Sequence, residues 1–280
     1  MTTIFVSDLD GTLVNERAEL SPFALQALRD LLEEGLPFTV ASARGVHSIR
    51  QMLAGLPIDL PVISFNGAFL SDIKTGHHEV VNHMDEEVAR EIFQCLPRHG
   101  CAPYIATYDG QQEQIYYDEV INAGMQWYLD ERLEREDPRW QRAGRLGEAF
   151  RDQVMGMTMI HRKEVLDELE AELRERFADQ VELHHFENEY NPGWHWLTVH
   201  DRRATKDQAI RSLQQSRNLQ DHRVVVFGDN RNDLGMFQQA DLAVAVANAI
   251  DEIKAHAHHI IGSNLEDAVV KYLQQNWKPV

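Results

Sequence analysis

The stretch TIFVSDLDGTLV, residues 3–14, restricts the fold more than any other feature of this sequence. Residues 4–7 are apolar or β-prone and predict a short buried strand, which leads directly into two aspartates and a glycine. The carboxyl ends of parallel strands in an open α/β sheet form an edge where polar groups are accommodated. The stretch therefore favours an α/β fold in which Asp8 and Asp10 lie at that edge.

Helix and strand signals alternate in the first 65 residues and again from about residue 206. Ser21 is a natural N-cap, Pro22 suits the first helical position, and Gly35 suits the end of that helix. Strand–helix alternation with short links predicts a Rossmann-like, doubly wound parallel sheet with right-handed crossovers. The predicted strands of this sheet are residues 4–7, 37–41, 61–65, 223–227 and 242–246.

The middle of the chain lacks this alternation. Two strand-like runs flank Asp109-Gly110, which predicts a hairpin, and further strands surround a helix predicted over 163–177. These signals predict a separate α+β domain inserted into the parallel sheet. We therefore expect a discontinuous core domain, residues 1–83 and 199–280, and an inserted domain, residues 84–198.

Charge and cysteine content restrict the class of partner. The formal net charge of −18 at pH 7 disfavours binding to nucleic acids or anionic membranes. The two cysteines, Cys95 and Cys101, form no C-x-x-C motif, which favours a reducing compartment. No signal-peptide pattern or membrane-length apolar run is evident. We expect a cytoplasmic protein with a small-molecule partner, and the sequence does not indicate an oligomeric state.

Acidic residues recur at a second strand end. Alternate residues of a strand share a face, so Asp8 and Asp10 are expected to aim at one point. The loop GDNRND (228–233) follows another buried strand and is expected to bring Asp229 and Asp233 to the same edge. Like charges about 4 Å apart repel by roughly 4 kcal/mol at an effective dielectric of about 20, so a cation is needed. Mg²⁺ is the expected cofactor, because it prefers carboxylate oxygens and commonly bridges to phosphate.

Two further positions carry groups that suit a phosphate. Ser42 and Ala43 close the second predicted strand with a hydroxyl and backbone amides. Lys206 lies at a helix start, where its ammonium can balance charge on a transferring phosphoryl group.

Each motif also has an alternative interpretation. The Asp-Gly dipeptide within residues 8–11 could close a hairpin, Lys206 alone could be a solvated helix residue, and Arg44 could form a structural ion pair or touch substrate. Neither acidic loop has the residue spacing of an EF-hand. Trp194 and Trp196 favour core packing over stacking on a sugar. The catalytic interpretation of the acidic loops is favoured because the motifs occur together at strand ends.

The order D-x-D-G-T, a serine strand end, lysine and G-D-x-x-N-D is similar to that of the haloacid dehalogenase-like hydrolase superfamily. The long insertion after the third strand and the stretch SFNGAFL (64–70) resemble its Cof-type branch, class IIB. The resemblance covers both core segments, well over half of the chain, and matches the inserted domain in outline only. It implies that the inserted α+β domain is a cap that determines substrate specificity.

The resemblance also implies a role for each residue of the predicted site. Asp8 would be the nucleophile that forms an aspartyl-phosphate, and Asp10 the acid that protonates the leaving oxygen and then the base that activates water. Mg²⁺ would be held by the Asp8 side chain, the Asp10 backbone carbonyl and Asp229. The phosphate contacts would be Ser42, Ala43, Lys206 and Asn232, with Asp233 and Asn66 as supporting residues around them.

Three departures from the family's pattern concern substrate fit. Ala43 stands where glycine is usual, and Asp207 stands where glycine commonly follows the lysine. Phe65 is inserted before Asn66, which leaves Asn66 aligned and the role of Ser64 open. None of these departures removes a catalytic group.

The expected function is a Mg²⁺-dependent phosphatase of small phosphorylated metabolites, with Asp10 favouring hydrolysis because it is available to activate water. One alternative is a phosphotransferase or phosphomutase, which passes the phosphoryl group to a second hydroxyl. Another is a non-catalytic phospho-receiver module, which the large insertion and Asp10 disfavour. The sequence leaves the substrate open among sugar phosphates, nucleotides, pyridoxal phosphate and flavin mononucleotide.

Overall fold

The computed structural model describes residues 2–134, 136–188 and 191–279. These residues form two compact units. The first unit contains the residues up to Val81 and those from Ala204 onward, and the second unit contains Asn82–Arg203. The strand His195–Asp201 lies wholly in the second unit, which therefore extends further than the inserted domain expected from the sequence.

The strands of the described chain are numbered in sequence order. They are β1 (Thr3–Ser7), β2 (Phe38–Val40), β3 (Val62–Ser64), β4 (Phe69–Ser71), β5 (His78–Val81), β6 (Pro103–Tyr108), β7 (Glu113–Tyr117), β8 (Trp140–Arg142), β9 (Gln153–His161), β10 (Val181–Glu187), β11 (His195–Asp201), β12 (Arg223–Gly228), β13 (Leu242–Ala245) and β14 (His259–Ile260).

The α-helices are numbered in the same way, and within the described residues none is both long enough and apolar enough to cross a bilayer. They are α1 (Pro22–Glu33), α2 (Val46–Met52), α3 (Glu86–Cys95), α4 (Ala123–Glu134), α5 (Lys163–Phe177), α6 (Lys206–Ser216), α7 (Leu234–Gln239), α8 (Asp251–His256) and α9 (Ala268–Asn276).

The first unit is built on a five-stranded parallel sheet in the order β14-β13-β12-β1-β2. β1 is buried along most of its length, as its apolar sequence predicted. It pairs directly with β12, and Ser7 lies opposite Phe227 in the parallel register. The residues that follow these two strands therefore leave the sheet side by side. The predicted α/β class with a parallel sheet is confirmed.

The third predicted strand joins the parallel sheet less extensively than the others. β3 meets that sheet through an isolated parallel bridge between Ala41 and Ile63, and it pairs in the antiparallel direction with β4. β3, β4 and β5 form a separate antiparallel sheet. A tight turn over Phe65–Gly67 reverses the chain after β3, so β4 returns antiparallel to it.

The first helix shows how the local sequence fixes an element of this unit. The hydroxyl of Ser21 accepts a hydrogen bond from the amide of Ala24 at 2.9 Å, as expected of an N-cap. Leu28 and Leu31 are buried against the sheet core, and burying a leucine stabilises a fold by about 1.5–3 kcal/mol.

The second unit contains a six-stranded sheet in the order β10-β11-β9-β6-β7-β8. All its neighbouring strands are antiparallel except β7 and β8. The predicted hairpin joins β6 to β7, and Asp109 accepts hydrogen bonds from two amides of its turn. Trp196 is buried in an aromatic cluster, as core packing predicted, while the Arg162 guanidinium lies 3.9 Å from the ring centroid of the partly buried Trp194.

Candidate active site

Four ionisable side chains meet at the carboxyl edge of the parallel sheet. Asp8 follows β1, Asp229 and Asp233 follow β12, and Lys206 begins α6. Carboxylate oxygens of the three aspartates lie within 4.8 Å of one another. Lys206 and Asp233 are fully buried and Asp8 is nearly so. The structure thus brings together four of the residues that the sequence analysis selected, although they lie more than 200 positions apart at the extremes.

Lys206 supplies a positive charge inside this cluster. Its Nζ donates hydrogen bonds to Oδ1 of Asp8 at 2.5 Å and to Oδ1 of Asp233 at 2.6 Å. Burial by itself lowers the pKa of Lys206, but the charges of Asp233 and Asp8 raise it by more than burial lowers it. The ammonium therefore stays protonated. The sequence predicts Lys206 as a phosphate contact, and these two carboxylate contacts were not predicted.

Asp233 holds the loop after β12 in place. Its Oδ2 accepts hydrogen bonds from the backbone amides of Asp229 at 2.9 Å and Asn230 at 3.1 Å. Because its Oδ1 already contacts Lys206, both oxygens of this carboxylate are engaged by protein donors. The arrangement fits a supporting carboxylate better than a metal ligand.

Asp229 is oriented by the loop that follows β1. The hydroxyl of Thr12 donates to Oδ1 of Asp229 at 2.8 Å. Gly11 has φ of 74°, and a Cβ there would lie 2.5 Å from Oδ2 of Asp229, so only glycine allows this approach. Thr12 was not among the predicted site residues, although it is the threonine of the D-x-D-G-T motif that would have indicated it.

The cluster carries more negative charge than its lysine balances. Burial raises the pKa of Asp8 well above its usual range; the charges of Asp233 and Asp229 raise it further, while Lys206 lowers it. Burial, together with the charge of Asp233, raises the pKa of Asp229 to about 6. Three carboxylates against one ammonium leave a formal charge of −2.

This donor set fits a divalent cation. Carboxylate oxygens are the ligands that hard cations prefer, and a dication would neutralise the residual charge. Because Asp233 is engaged by protein donors, Asp8 and Asp229 are the side chains that fit as ligands. The buried aspartate cluster is therefore compatible with metal binding.

Asp10 requires a correction to the expected geometry. Its carboxylate was expected to aim at the same point as that of Asp8, but β1 ends at Ser7 and Asp10 lies in a turn, so strand alternation does not apply. Its side chain is about half exposed and forms an ion pair with Arg44 at 2.7 Å. Arg44 thus forms an ion pair, which is one of the two roles considered for it.

Three loops that carry predicted site residues are linked to one another by hydrogen bonds. The amide of Asn66 donates to the carbonyl of Ser42 at 2.9 Å, and Nδ2 of Asn232 donates to Oδ1 of Asn66 at 3.1 Å. Ser42 is buried and the adjacent Ala43 is exposed. Phe65 and Asn66 both have φ near 50°, so the inserted Phe65 is accommodated in a left-handed turn. The predicted phosphate contacts thus lie on loops that hold one another.

The same turn also contacts the start of α6. Gly67 has φ of 107°, and a Cβ at this position would lie 2.4 Å from the carbonyl oxygen of Thr205, the residue before Lys206. Backbone contact at Gly67 therefore contributes to the position of the buried lysine.

Asp207 and Ser64 form hydrogen bonds with side chains outside the cluster. Oδ2 of Asp207 accepts hydrogen bonds from the side chains of Gln239 at 2.7 Å and Gln208 at 3.3 Å. Ser64 is fully buried, and its Oγ lies 3.3 Å from Oγ of Ser71. Asp207 therefore binds α7 and its own helix, and Ser64 belongs to a buried hydroxyl pair.

Comparisons with known proteins agree with this geometry. The Escherichia coli pyridoxal phosphate phosphatase YbhA is 25% identical over 275 residues, 97% of each chain. The Bacillus subtilis 5-amino-6-(5-phospho-D-ribitylamino)uracil phosphatase YwtE is 24% identical over 282 residues, 96% of each chain. A Thermotoga maritima protein solved by X-ray crystallography superimposes with a TM-score of 0.79 at 26% identity, covering 99% of this chain and 98% of that one.

The family model described as haloacid dehalogenase-like hydrolase matches residues 5–273. The predicted family and the prediction of a phosphatase enzyme are both confirmed. From its two acidic loops, its buried lysine and this match over nearly its whole length, we conclude that the chain belongs to the haloacid dehalogenase-like hydrolase family.

Proposed function

We propose that this phosphatase hydrolyses small phosphorylated metabolites through an aspartyl-phosphate on Asp8, with Mg²⁺ as its cofactor. The observation that carries the proposal is the Asp8 carboxylate itself, buried at the sheet edge between a lysine ammonium and a second carboxylate. A buried, oriented carboxylate beside positive charge suits attack on a phosphoryl group, because catalysis of phosphoryl transfer is mostly positioning and charge stabilisation.

In the first half of the proposed reaction, an oxygen of Asp8 attacks phosphorus. The bond between phosphorus and the leaving-group oxygen breaks, and Asp10 gives its proton to that oxygen, so the leaving group departs as an alcohol. Lys206 holds Oδ1 of Asp8, which leaves the other oxygen of the carboxylate as the one we assign to the attack.

In the second half, water attacks the phosphorus of the aspartyl-phosphate. The proton of the water passes to Asp10, and the bond between phosphorus and the Asp8 oxygen breaks. Inorganic phosphate is released, Asp8 is again a carboxylate and Asp10 is again protonated. Because Asp10 serves both halves, hydrolysis is favoured over permanent phosphorylation.

The Asp8 side chain, the Asp10 backbone carbonyl and Asp229 are the groups that would hold Mg²⁺. When bound, the cation supplies positive charge that offsets the repulsion among the carboxylates and between Asp8 and the incoming phosphate. Support for this set comes from the formal charge of −2 in the cluster and from the raised pKa values of Asp8 and Asp229.

The phosphate contacts are proposed from the surrounding loops. Lys206 lies against Asp8 and is placed to share its charge with a phosphoryl group, while Ser42, Ala43 and Asn232 lie on loops that are tied together through Asn66. Hydroxyl, amide and ammonium groups are the donors that phosphate oxygens accept.

We propose that the second unit, Asn82–Arg203, is the cap that selects the substrate. The two relatives named above act on pyridoxal phosphate and on a phosphorylated ribitylaminouracil, both of which are phosphate monoesters that carry a nitrogen heterocycle. Compounds of this kind therefore belong beside sugar phosphates and nucleotides in the first substrate panel.

The direct test is phosphate release from that panel with Mg²⁺ and again with EDTA. We expect hydrolysis of at least one small monoester, loss of activity with EDTA and recovery when Mg²⁺ is added in excess. Activity that is unchanged by EDTA would contradict the metal assignment. Product formation only in the presence of an alcohol acceptor would favour the phosphotransferase alternative.

Asp8→Asn tests the nucleophile. We expect it to lower kcat by at least about 10³-fold, because removing a covalent nucleophile leaves only the binding and electrostatic contributions. Asp207→Asn is the matched control, since it makes the same change at a carboxylate that binds glutamines outside the cluster. A retained far-UV circular dichroism spectrum shows that the fold is intact, and substantial turnover by Asp8→Asn would contradict the role of Asp8.

A further inference from the structure

The ion pair between Arg44 and Asp10 engages both carboxylate oxygens, although both side chains are partly exposed. Nε of Arg44 donates to Oδ2 of Asp10 and a terminal nitrogen donates to Oδ1, both at 2.7 Å. The guanidinium thus engages both carboxylate oxygens, which fixes orientation as well as distance. The side chains are 27% and 49% exposed, and ion pairs at such positions contribute little to fold stability.

Arg44 is anchored within the loops of the proposed phosphate site. Its amide donates to the hydroxyl of Ser42 at 3.1 Å, and its carbonyl accepts from the amide of Phe65 at 3.0 Å. The guanidinium also donates to the hydroxyl of Ser48 at 3.3 Å. The backbone and the side chain of Arg44 are therefore both held, so the direction in which the guanidinium presents itself to Asp10 is set by the fold.

We propose that Arg44 is a positioning residue that sets the orientation of the Asp10 carboxylate for proton transfer. The inference rests on the proposed function, which assigns the acid and base steps to Asp10. Without a partner, a carboxylate at this edge would be drawn to the lysine and to a cation bound by Asp8 and Asp229. The guanidinium takes up one acceptor position on each Asp10 oxygen and fixes the plane of the group, which leaves the second position of each oxygen to exchange a proton with the leaving oxygen and with water.

A double-mutant cycle distinguishes this role from substrate binding or simple stabilisation. The substrate is 4-nitrophenyl phosphate, whose good leaving group keeps turnover measurable when the acid is removed. We expect Arg44→Ala to lower kcat about tenfold or more with KM changed less than about threefold, and to have less than about a twofold effect in the Asp10→Asn background. Arg44→Lys should recover only part of the loss, because lysine lacks the planar fork.

A leaving-group series gives a second, independent measurement. The loss of kcat/KM in Arg44→Ala should be larger for alkyl phosphates than for aryl phosphates, because kcat/KM reports transfer to Asp8 and only a poor leaving group depends strongly on the proton from Asp10 in that step. Arg50→Ala is the matched control, since Arg50 is an exposed arginine of α2 that donates to the carbonyl of Lys74. Both arginine variants should melt within about 4 °C of the parent chain.

The outcomes separate this inference from the proposed function. An inactive parent chain, or an active Asp8→Asn variant, overturns the proposed function. If both behave as expected but Arg44→Ala lowers kcat equally with and without Asp10, only the positioning role of Arg44 is overturned. A rise in KM without a fall in kcat, or an equal loss of kcat/KM across the leaving-group series, overturns it as well.

Discussion

Each unit of the molecule contains a largely buried group of charges, and the two groups shift the pKa of their aspartates in opposite directions. In the second unit, Arg139 donates to Asp137 at 2.7 Å and to Glu113 at 2.8 Å. Burial by itself raises the pKa of Asp137, but the hydrogen bonds and charge of Arg139 lower it below its usual value. In the first unit, burial and neighbouring carboxylates raise the pKa of both Asp8 and Asp229.

The difference teaches how a structural ion pair differs from a site that is built to receive a cation. Arg139 has several donors and serves two carboxylates, with which it forms the complete hydrogen bonds expected of a guanidinium. Lys206 is a single ammonium, and the cluster around it contains three carboxylates. By formal charge the first arrangement is left at −1, whereas the second is left at −2, which a divalent cation would cancel.

Replacing the positively charged side chain of each group is the strongest test of this comparison. Lys206→Met leaves Asp8 and Asp233 without their ammonium and should lower the free energy of unfolding in EDTA by about 3–5 kcal/mol. Arg139→Met should cost less, about 1–3 kcal/mol, because Arg139 is partly exposed. Urea denaturation with and without Mg²⁺ measures both. Mg²⁺ should recover part of the loss for Lys206→Met alone, and equal responses of the two variants would break the comparison.

The pH dependence of stability in two aspartate variants sharpens the comparison of the two charge groups. The folded-state pKa of Asp229, about 6, lies above its ordinary value of 3.8, so stability is lost as pH rises between these values. In EDTA, Asp229→Asn should therefore raise the free energy of unfolding at pH 7.5 by up to about 3 kcal/mol and change it little near pH 4.

Asp137 provides the matched control with the opposite sign. Its pKa is lowered in the folded state, so its carboxylate stabilises the fold above the ordinary pKa and this contribution is lost as pH falls. Asp137→Asn should therefore lower the free energy of unfolding at pH 7.5. Urea denaturation of Asp229→Asn and Asp137→Asn at pH 4 and 7.5 measures both effects. If the free energy of unfolding at pH 7.5 changed with the same sign in the two variants, the proposed difference between the two charge groups would be contradicted.

The smallest expected effects come from one glycine in each unit. Gly67→Ala should cost about 2 kcal/mol, because the added Cβ meets the carbonyl of Thr205 in a left-handed backbone, and kcat should fall as Lys206 is displaced. Gly110 in the second unit has φ of 96°, and an added Cβ would meet no atom of the described residues within 4 Å. Gly110→Ala should therefore cost only about 1 kcal/mol. Urea denaturation and phosphate release distinguish the two.

The proximity of Asp8, Asp229 and Lys206 could be predicted from the sequence because the prediction depends on few assumptions. Buried apolar strands, short links and right-handed crossovers make a parallel sheet, and a parallel sheet places its strand ends along one edge. The adjacency of β1 and β12 then places the two acidic loops beside each other. Identifying the residues at strand ends was therefore enough to predict most of the cluster.

The remaining features depend on contacts that sequence periodicity does not encode. Asp10 turns toward Arg44 because a guanidinium lies within reach, and that is a matter of loop geometry. β3 has only three residues and one parallel bridge to the core sheet, and the turn containing Phe65 that brings β4 back antiparallel to it was not evident from periodicity. The predicted end of the inserted domain fell within β11, because the apolar alternation of that strand suits either unit.

The pairing of β1 with β12 also has a consequence for synthesis of the chain. β2 can cover one edge of β1 as soon as it leaves the ribosome, but the partner for the other edge is about 220 residues away. At about 5–20 residues per second, the nascent strand waits roughly 10–40 s with an open apolar edge. Over that interval the whole inserted segment emerges, so Asp8 and Asp229 cannot meet until β12 has left the ribosome.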